Sequence, residues 1–209
     1  KLGATAVAVV GITESLMYLV YAVAIGISVS ATASVARRIG EKDEDGAARA
    51  ATHAIYLGVI ASVVIGIFGV IFAADLLRLI GAEEAVIAEG TAFTQISLGG
   101  SAGVMFLFLL NAIFRGAGDA AITMRILWIA NLLNIVLNPI FIFTLDMGVT
   151  GAAVGTVVGR GCGAAIALYF LLGGKRRLTI KREHWKPDFS RLSRLAKIAA
   201  PGSFQFAIQ

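Results

Sequence analysis

The chain has 209 residues, of which 58% are hydrophobic and only 15% are charged, and it carries a net charge of +5. Apolar residues make up only ~45–50% of ordinary soluble domains, even when glycine is counted among them. This composition excludes a typical soluble enzyme or binding domain and indicates a membrane protein.

Five long apolar segments follow one another along the chain, each bounded by charged residues or by glycine, proline or aspartate. Each is longer than the ~20 helical residues needed to cross a hydrocarbon core of ~30 Å. Each is also apolar nearly all round, whereas a soluble core helix has one polar face. The segments predict an all-α polytopic membrane protein, and they run from about Gly11 to Ala36, Ala47 to Ala74, Ala88 to Phe114, Ile122 to Leu145 and Val149 to Leu172.

The predicted organisation has three parts. Residues 1–172 form a five-helix transmembrane part, and residues 173–197 form a basic linker that ends in an amphipathic helix. Residues 198–209 begin a sixth apolar run and stop a few residues into it. Because that run is too short to span a bilayer and the chain starts with Lys1, we expect the sequence to be a fragment of a larger protein.

The basic residues are distributed unevenly between the predicted connections. Fifteen of the 18 lysines and arginines lie around the first connection, around the third connection, or after the fifth segment. The positive-inside rule places these connections in the cytoplasm, so we expect a multi-pass protein of the cytoplasmic membrane. The net positive charge is then a signal of topology and requires no nucleic-acid partner.

Helix one carries polar residues on a single face. Glu14, Tyr18, Tyr21 and Ser28 are spaced so that they fall on one side of a helix. Glu14 would either face a watery cavity and bind a proton or a cation, or simply reach the headgroups at the outer interface.

Helix four carries Asn131, Asn134 and Asn138 on one face, and Pro139 follows at once. Proline lacks a backbone donor and bends a helix. The asparagines would therefore line a substrate path beside a bend, or else hydrogen-bond to a neighbouring helix.

Helix five carries glycines at every fourth position, a pattern typical of close helix packing. Arg160 lies near its middle and needs an acidic partner, helix-end carbonyls or a water-filled cavity. Glu14 is an acidic residue well inside a predicted helix, so Arg160 would either pair with it or act directly on a substrate. The glycines of this ridge are Gly151, Gly155, Gly159 and Gly163.

Residues 99–103 match the G-x-S-x-G pattern around Ser101, but a serine hydrolase also needs a histidine near that serine. His53 and His184 are predicted near or beyond the cytoplasmic helix ends, whereas Ser101 lies near mid-depth. We therefore expect no enzyme, no resident metal and no organic cofactor.

Four stretches together resemble the MATE family of multidrug and toxic-compound extrusion transporters, and they occur in the family's order. The resemblance implies a twelve-helix, two-lobe transporter of which this chain covers helices two to six and the start of helix seven. The first helix and the C-lobe would be missing. The four stretches are SVARRIGEKD (34–43), FRGAGD (114–119), NIVLNP (134–139) and GVTGAAVGT (148–156).

The resemblance also implies a cation site in this lobe. Asn134 and Thr156 match family positions that act in this site, and Asn138 stands where the family carries an aspartate. Na⁺ near Asn134, Asn138 and Thr156, or H⁺, would be the coupling ion. The expected partners are the lipid bilayer, a small organic substrate and the rest of the transporter.

Three functions remain open from the sequence. The first is secondary-active efflux of amphipathic, often cationic, organic compounds in exchange for Na⁺ or H⁺. The second is a lipid-linked saccharide flippase of the same superfamily, which we expect to need more cationic cavity groups than Arg160. The third is a non-transporting membrane scaffold, which would not require asparagine, glutamate and arginine inside its helices.

Overall fold

The computed structural model describes residues 3–173, 178–186 and 188–207, and within these residues it is helical and contains no β-strand. A π-helical turn, Ile140–Thr144, follows the sixth α-helix, and a 3₁₀ turn, Arg182–Trp185, precedes the eighth. The eight α-helices are α1 (Ala4–Gly40), α2 (Glu44–Ile71), α3 (Ala73–Leu79), α4 (Glu84–Gly99), α5 (Ser101–Gly116), α6 (Ala120–Pro139), α7 (Gly148–Leu172) and α8 (Phe189–Ala207).

Five helical spans are long and apolar enough to cross a membrane, which confirms the predicted all-α architecture. They are Thr5–Gly40, Glu44–Ile71, Glu84–Gly116, Ala120–Thr144 and Gly148–Leu172. Successive spans run in opposite directions, so the connections fall at two ends of the bundle. We call the end with residues 41–43, 117–119 and 178–188 the basic end, and the end with residues 72–83 and 145–147 the opposite end.

The third span is divided into two helices at Gly100, which the apolar pattern did not predict. The Gly100 amide donates to the Ile96 carbonyl (2.8 Å) at the end of α4, and α5 begins at Ser101. A Cβ atom on Gly100 would lie 2.6 Å from Cγ1 of Val157 in α7. The break therefore lies where α7 approaches this span too closely for a larger residue.

The fourth span changes its hydrogen-bonding pattern at Pro139. The α-helix ends there, and the Leu145 amide donates to the Ile140 carbonyl (2.9 Å), five residues earlier, in the π-helical turn. Since proline removes one amide donor, the local change falls where a bend was expected.

The core lies along α1 and α5. Val20 and Ala31 of α1 and Leu110 and Phe114 of α5 are almost fully buried in one cluster. In contrast, α6 exposes Trp128 and other large apolar side chains on its outer side. This distribution is typical of a bundle whose outer helices face lipid.

The basic linker docks against the first half of α2. The Tyr56 hydroxyl donates to the Trp185 carbonyl (2.6 Å), and the Asp188 amide donates to Nε2 of His53 (3.0 Å). From there α8 runs without a break across the predicted boundary between Lys197 and Ile198.

Helix α8 then packs along α1. The buried Ser30 hydroxyl donates to the Leu195 carbonyl (3.0 Å), and a Cβ on Gly26 would lie 2.6 Å from the Ala199 carbonyl oxygen. The two helices are therefore in close backbone contact, although they are separated by about 150 residues of chain.

Candidate functional site

The glycine ridge of α7 is a surface of close helix packing, as the four-residue spacing predicted, and it packs against α6 and the π-helical turn that follows it. A Cβ on Gly151 would lie 2.6 Å from the Phe141 carbonyl oxygen, and a Cβ on Gly159 would lie 3.3 Å from the backbone nitrogen of Asn134. Gly155 lies directly against Asn138, and Gly163 against Ala130. The ridge thus brings the backbone of α7 onto the face of α6 that carries the asparagines.

Asn134 and Asn138 form a hydrogen-bonded pair on this face. Nδ2 of Asn138 donates to Oδ1 of Asn134 (2.6 Å), and both residues are partly buried. Oδ1 of Asn138 is buried and has no hydrogen-bond partner among the described residues. A buried carbonyl oxygen without a donor can accept a hydrogen bond or coordinate a hard cation such as Na⁺.

The other two residues expected near this pair occupy different environments. Thr156 is partly buried and follows Gly155, the glycine that contacts Asn138, along α7. Asn131 is exposed, one turn away from Asn134 on α6. The structure therefore brings Asn134 and Asn138 together, places Thr156 one residue beyond the glycine that contacts Asn138, and leaves Asn131 exposed.

A second polar cluster joins α1 to α7. The Tyr21 hydroxyl donates to Oε1 of Glu14 (3.3 Å), and Nη1 of Arg160 donates to the Tyr21 hydroxyl oxygen (3.1 Å). The Arg160 guanidinium carbon also lies 5.8 Å from the centre of the Tyr21 ring. Glu14 and Arg160 are thus connected through Tyr21, and no direct ion pair joins them.

Aromatic side chains surround this second cluster. Tyr18 contacts Tyr21 edge to face, with the ring centres 6.2 Å apart, and Phe108 of α5 lies 6.3 Å from Tyr21. Tyr18 is 60% exposed, and Glu14 is exposed as well. An accessible carboxylate beside aromatic rings is a favourable environment for an organic cation.

Sequence reasoning placed Tyr21 on the polar face of helix one but did not include it among the candidate site residues. Its spacing of seven residues from Glu14 could have identified it, since this spacing puts two side chains on the same helix face. The contact with Arg160 of α7 depends on how the helices pack.

Ser101 and the two histidines lie in different parts of the molecule. Ser101 is fully buried at the start of α5, and its hydroxyl has no partner among the described residues. His53 and His184 instead hold the linker at the basic end, where the Lys181 amide donates to Nδ1 of His184 (3.1 Å). The described residues place no histidine beside the serine.

His184 also lies near two carboxylates, Asp45 and Glu183, at distances of 3.2 and 3.9 Å from its Nε2. Nδ1 of His184 already accepts a backbone hydrogen bond, so in the neutral ring the proton must be on Nε2. A metal ion would need the lone pair of Nε2, and this proton occupies that position. His184 and the two carboxylates therefore form a hydrogen-bonded contact between the linker and α2, not a metal site.

Comparison with known proteins establishes the family. The MatE family profile matches residues 1–140, which is more than half of the chain. The chain belongs to the MatE family. This membership confirms the resemblance derived from the four sequence stretches, and the relatives below are transporters.

A similar protein is the probable multidrug resistance protein NorM of Thermotoga maritima, which is 26% identical over 202 residues. The match covers 94% of this chain and 43% of that protein. The chain therefore spans less than half the length of this MatE relative.

Two solved structures match the fold at a TM-score of 0.91 and 30% sequence identity. They are described as the inward-facing and the outward-facing conformations of a multidrug resistance MATE family transporter of the MOP superfamily. Each match covers 98% of this chain and 47% or 46% of the solved chain. The same helical arrangement thus fits both conformations equally well, and this MatE chain corresponds to about half of such a transporter.

Proposed function

We propose that this chain is part of a secondary-active exporter that moves amphipathic, often cationic, organic compounds out of the cell in exchange for Na⁺ or H⁺. The proposal is supported by MatE membership and by relatives that are named as multidrug resistance or export proteins. In this proposal the basic end faces the cytoplasm and the protein resides in the cytoplasmic membrane, as the charge distribution predicts.

The observation that carries the proposal is the cluster around Glu14. This carboxylate lies ten residues inside α1, is exposed, and is hydrogen-bonded to Tyr21 beside the accessible Tyr18 ring. An amphipathic cation could place its charge against the carboxylate and its apolar surface against the tyrosine rings. Both interactions strengthen when water is excluded.

Coupling follows from competition for the same charge. When Glu14 binds a proton, its negative charge disappears, and the affinity for an organic cation falls. A ligand can shift an equilibrium between two access states only through its differential affinity for them. Proton and substrate would therefore favour opposite states of a rocking transporter.

Na⁺ coupling would instead use the group formed by Asn134, Asn138 and Thr156. The carbonyl oxygens of Asn134 and Asn138 and the Thr156 hydroxyl are neutral oxygen ligands of the type that hard cations accept. Asn138 brings no negative charge of its own to this group, so Na⁺ binding there would depend on oxygen geometry rather than on attraction to a carboxylate.

The deciding experiment measures transport of a fluorescent organic cation, ethidium, in proteoliposomes that contain the intact transporter. Na⁺ and pH gradients are imposed separately. We expect Glu14→Gln to reduce proton-driven transport at least tenfold, while Glu89→Gln, at an exposed position of α4, retains it. Undiminished transport by Glu14→Gln would contradict the role of this carboxylate.

A lipid-linked saccharide flippase is the second candidate, and Arg160 is the observation that favours it. Its guanidinium is partly buried and could bind a diphosphate if Tyr21 moved aside. The test uses vesicles that contain a lipid-linked saccharide. The flippase would be supported if the parent translocates the saccharide lipid but not ethidium, and if Arg160→Gln abolishes this translocation. Vesicles that move neither compound would favour the scaffold.

The proposed orientation can be tested by cysteine labelling in intact cells. Cys162 is exposed in the structure and is first replaced by serine. A single cysteine is then introduced in the linker or between α3 and α4. We expect an impermeant reagent to label only the second position from outside, and labelling of the linker would refute the orientation.

A further inference from the structure

A cavity of about 570 Å³ opens at the basic end, where the ends of α1, α2 and α8 meet. Two pairs of arginines line it: Arg37 and Arg38 at the end of α1, and Arg191 and Arg194 in the first turns of α8. About 150 residues of sequence separate the two pairs, so the concentration of guanidinium groups arises from tertiary packing.

The walls of this cavity are predominantly cationic. Among the described residues that line the cavity, Asp188 alone carries a carboxylate, and this carboxylate pairs with Arg191 (3.0 Å). Glu41, which lies outside the lining, forms ion pairs with both Arg37 (2.8 Å) and Arg38 (3.2 Å). One negative charge is therefore shared by two guanidinium groups.

The remaining charged groups do not reverse this balance. Arg38 has a second partner in Asp43 (3.1 Å), also outside the lining. Arg194 forms no ion pair within residues 3–173, 178–186 and 188–207. Exposed ion pairs of this kind contribute little stability, so their arginines remain available to another anion.

His53 lies in the wall but adds no charge to it. Its Nδ1 is 2.6 Å from the Arg49 carbonyl and carries the proton, while its Nε2 accepts from the Asp188 amide. An Nε2 atom that accepts a hydrogen bond has no proton, so with both bonds made the ring has its single proton on Nδ1. The arginines alone supply the positive charge that a ligand would meet.

The cavity also has an apolar side. Leu195 is buried in its lining, and Ile198 is partly exposed there at 44%. Ala33 and Ala50 complete the apolar part of the lining. A ligand that combines a phosphate with hydrocarbon would match both surfaces, whereas a free inorganic anion would use only the arginines.

We propose that this cavity binds the headgroup phosphate of an anionic phospholipid. The guanidinium groups of Arg191 and Arg194 on one side and Arg37 and Arg38 on the other hold the phosphate oxygens in forked hydrogen bonds. The apolar side chains contact the first carbons of the lipid. The site lies at the ends of membrane-spanning helices, the depth at which basic pockets meet headgroups.

A bound phosphate would bridge α1 and α8. These helices already touch through Ser30 and Leu195, and the anion would add a charged connection between their basic ends. Because the cavity is distinct from the clusters around Glu14 and Asn138, this inference does not depend on the proposed transport activity.

The test is thermal unfolding of the purified intact protein in a neutral detergent, titrated with phosphatidylglycerol, with phosphatidylcholine or with inorganic phosphate. We expect phosphatidylglycerol to raise the unfolding temperature at concentrations where phosphatidylcholine has no effect. The double variant Arg191→Gln/Arg194→Gln should lose at least about tenfold in apparent affinity, because it removes two charged hydrogen-bond donors.

The matched control is Arg115→Gln/Arg125→Gln, which removes the same charge from exposed positions at the basic end, outside the cavity lining. It should bind phosphatidylglycerol as the parent does. If Arg191→Gln/Arg194→Gln does not fold, Arg37→Gln/Arg38→Gln tests the same site from α1.

Three results would overturn the proposal. The first is unchanged affinity in the cavity variants, and the second is an equal loss in the control, which would indicate non-specific charge. The third is stabilisation by inorganic phosphate but not by phosphatidylglycerol, which would assign the cavity to a soluble anion.

Discussion

Replacing Gly151 with alanine should destabilise the bundle, because this position allows α7 to lie on the backbone of the π-helical turn that follows α6. The new Cβ would lie 2.6 Å from both the carbonyl carbon and the carbonyl oxygen of Phe141, and 2.9 Å from the Ile142 nitrogen. All three are backbone atoms, so a change of side-chain rotamer cannot relieve the contact. Ordinary van der Waals contact begins at about 3.4 Å, and the two helices must therefore separate locally by about 0.8 Å.

The expected magnitude follows from two opposing terms. Overpacking of this kind costs about 1–3 kcal/mol, whereas exchanging glycine for alanine within a helix gains about 0.5–1 kcal/mol. Gly161 of the same helix provides the matched control, because an alanine Cβ there has no neighbour within 4 Å. Both variants gain the same helix contribution, so the difference between them is the overpacking cost alone. Gly151→Ala should consequently be less stable than Gly161→Ala by roughly 2 kcal/mol, which corresponds to roughly 4–8 °C in unfolding temperature.

The assay is thermal unfolding of the two purified variants in the same detergent. Equal unfolding temperatures would refute the assignment of the glycine ridge to the contact of α7 with α6 and the π-helical turn that follows it. A larger loss in Gly161→Ala would refute it as well, because it would place the tight contact on the other side of the helix.

Three further predictions concern single polar groups. Tyr21→Phe removes the hydroxyl that connects Glu14 to Arg160. We expect this variant to lower the free energy of unfolding by about 1–3 kcal/mol, as measured by thermal unfolding, and to reduce ethidium transport in proteoliposomes. Asn138→Asp adds a titratable carboxylate to the proposed ion path, so transport should become more dependent on pH between about 4 and 8, measured in proteoliposomes. The backbone amide of Arg191 lowers the pKa of the Asp188 carboxyl, and the Ser190 amide and the Arg191 side chain lower it further by smaller amounts. The ionised carboxylate therefore stabilises the first turn of α8 at neutral pH. This contribution should be lost as the pH falls through that lowered pKa, which hydrogen exchange of the α8 amides would detect.

Each of these predictions has a control and a contradicting result. Tyr18→Phe alters a hydroxyl with no partner among the described residues, and equal effects of both tyrosine variants would contradict the bridging role of Tyr21. A pH profile of Asn138→Asp identical to that of the parent would show that position 138 does not face the ion path. In Asp188→Ala, the protection of the α8 amides relative to their intrinsic exchange rate should not change with acid, and an acid-induced loss of protection like that of the parent would contradict capping by Asp188.

The spans and the two ends of the bundle could be predicted from the sequence alone. In a bilayer each backbone amide must find its partner within its own helix, so a span is a local property that a window of about 20 residues reveals. The motif around Asn134 and Asn138 is also local, since side chains four residues apart on one helix face are neighbours. Their hydrogen bond is one that a single helix can make.

Contacts between helices could not be predicted in the same way. The spacing of the glycines in α7 indicates a ridge for close packing but contains no information about which helix fills it; the structure identifies α6. The division of the third span at Gly100 depends on Val157 of another helix, and an apolar run of residues looks the same with or without that neighbour.

The same reason explains the bridge by Tyr21 and the cavity between α1 and α8. Arg160 and Tyr21 are 139 residues apart, and Ser30 and Leu195 are 165 residues apart. Hydrophobicity and charge determine that each helix inserts and in which direction. The partners of a polar side chain, by contrast, depend on the rotation of each helix about its axis, which is decided by the packing of all its neighbours together.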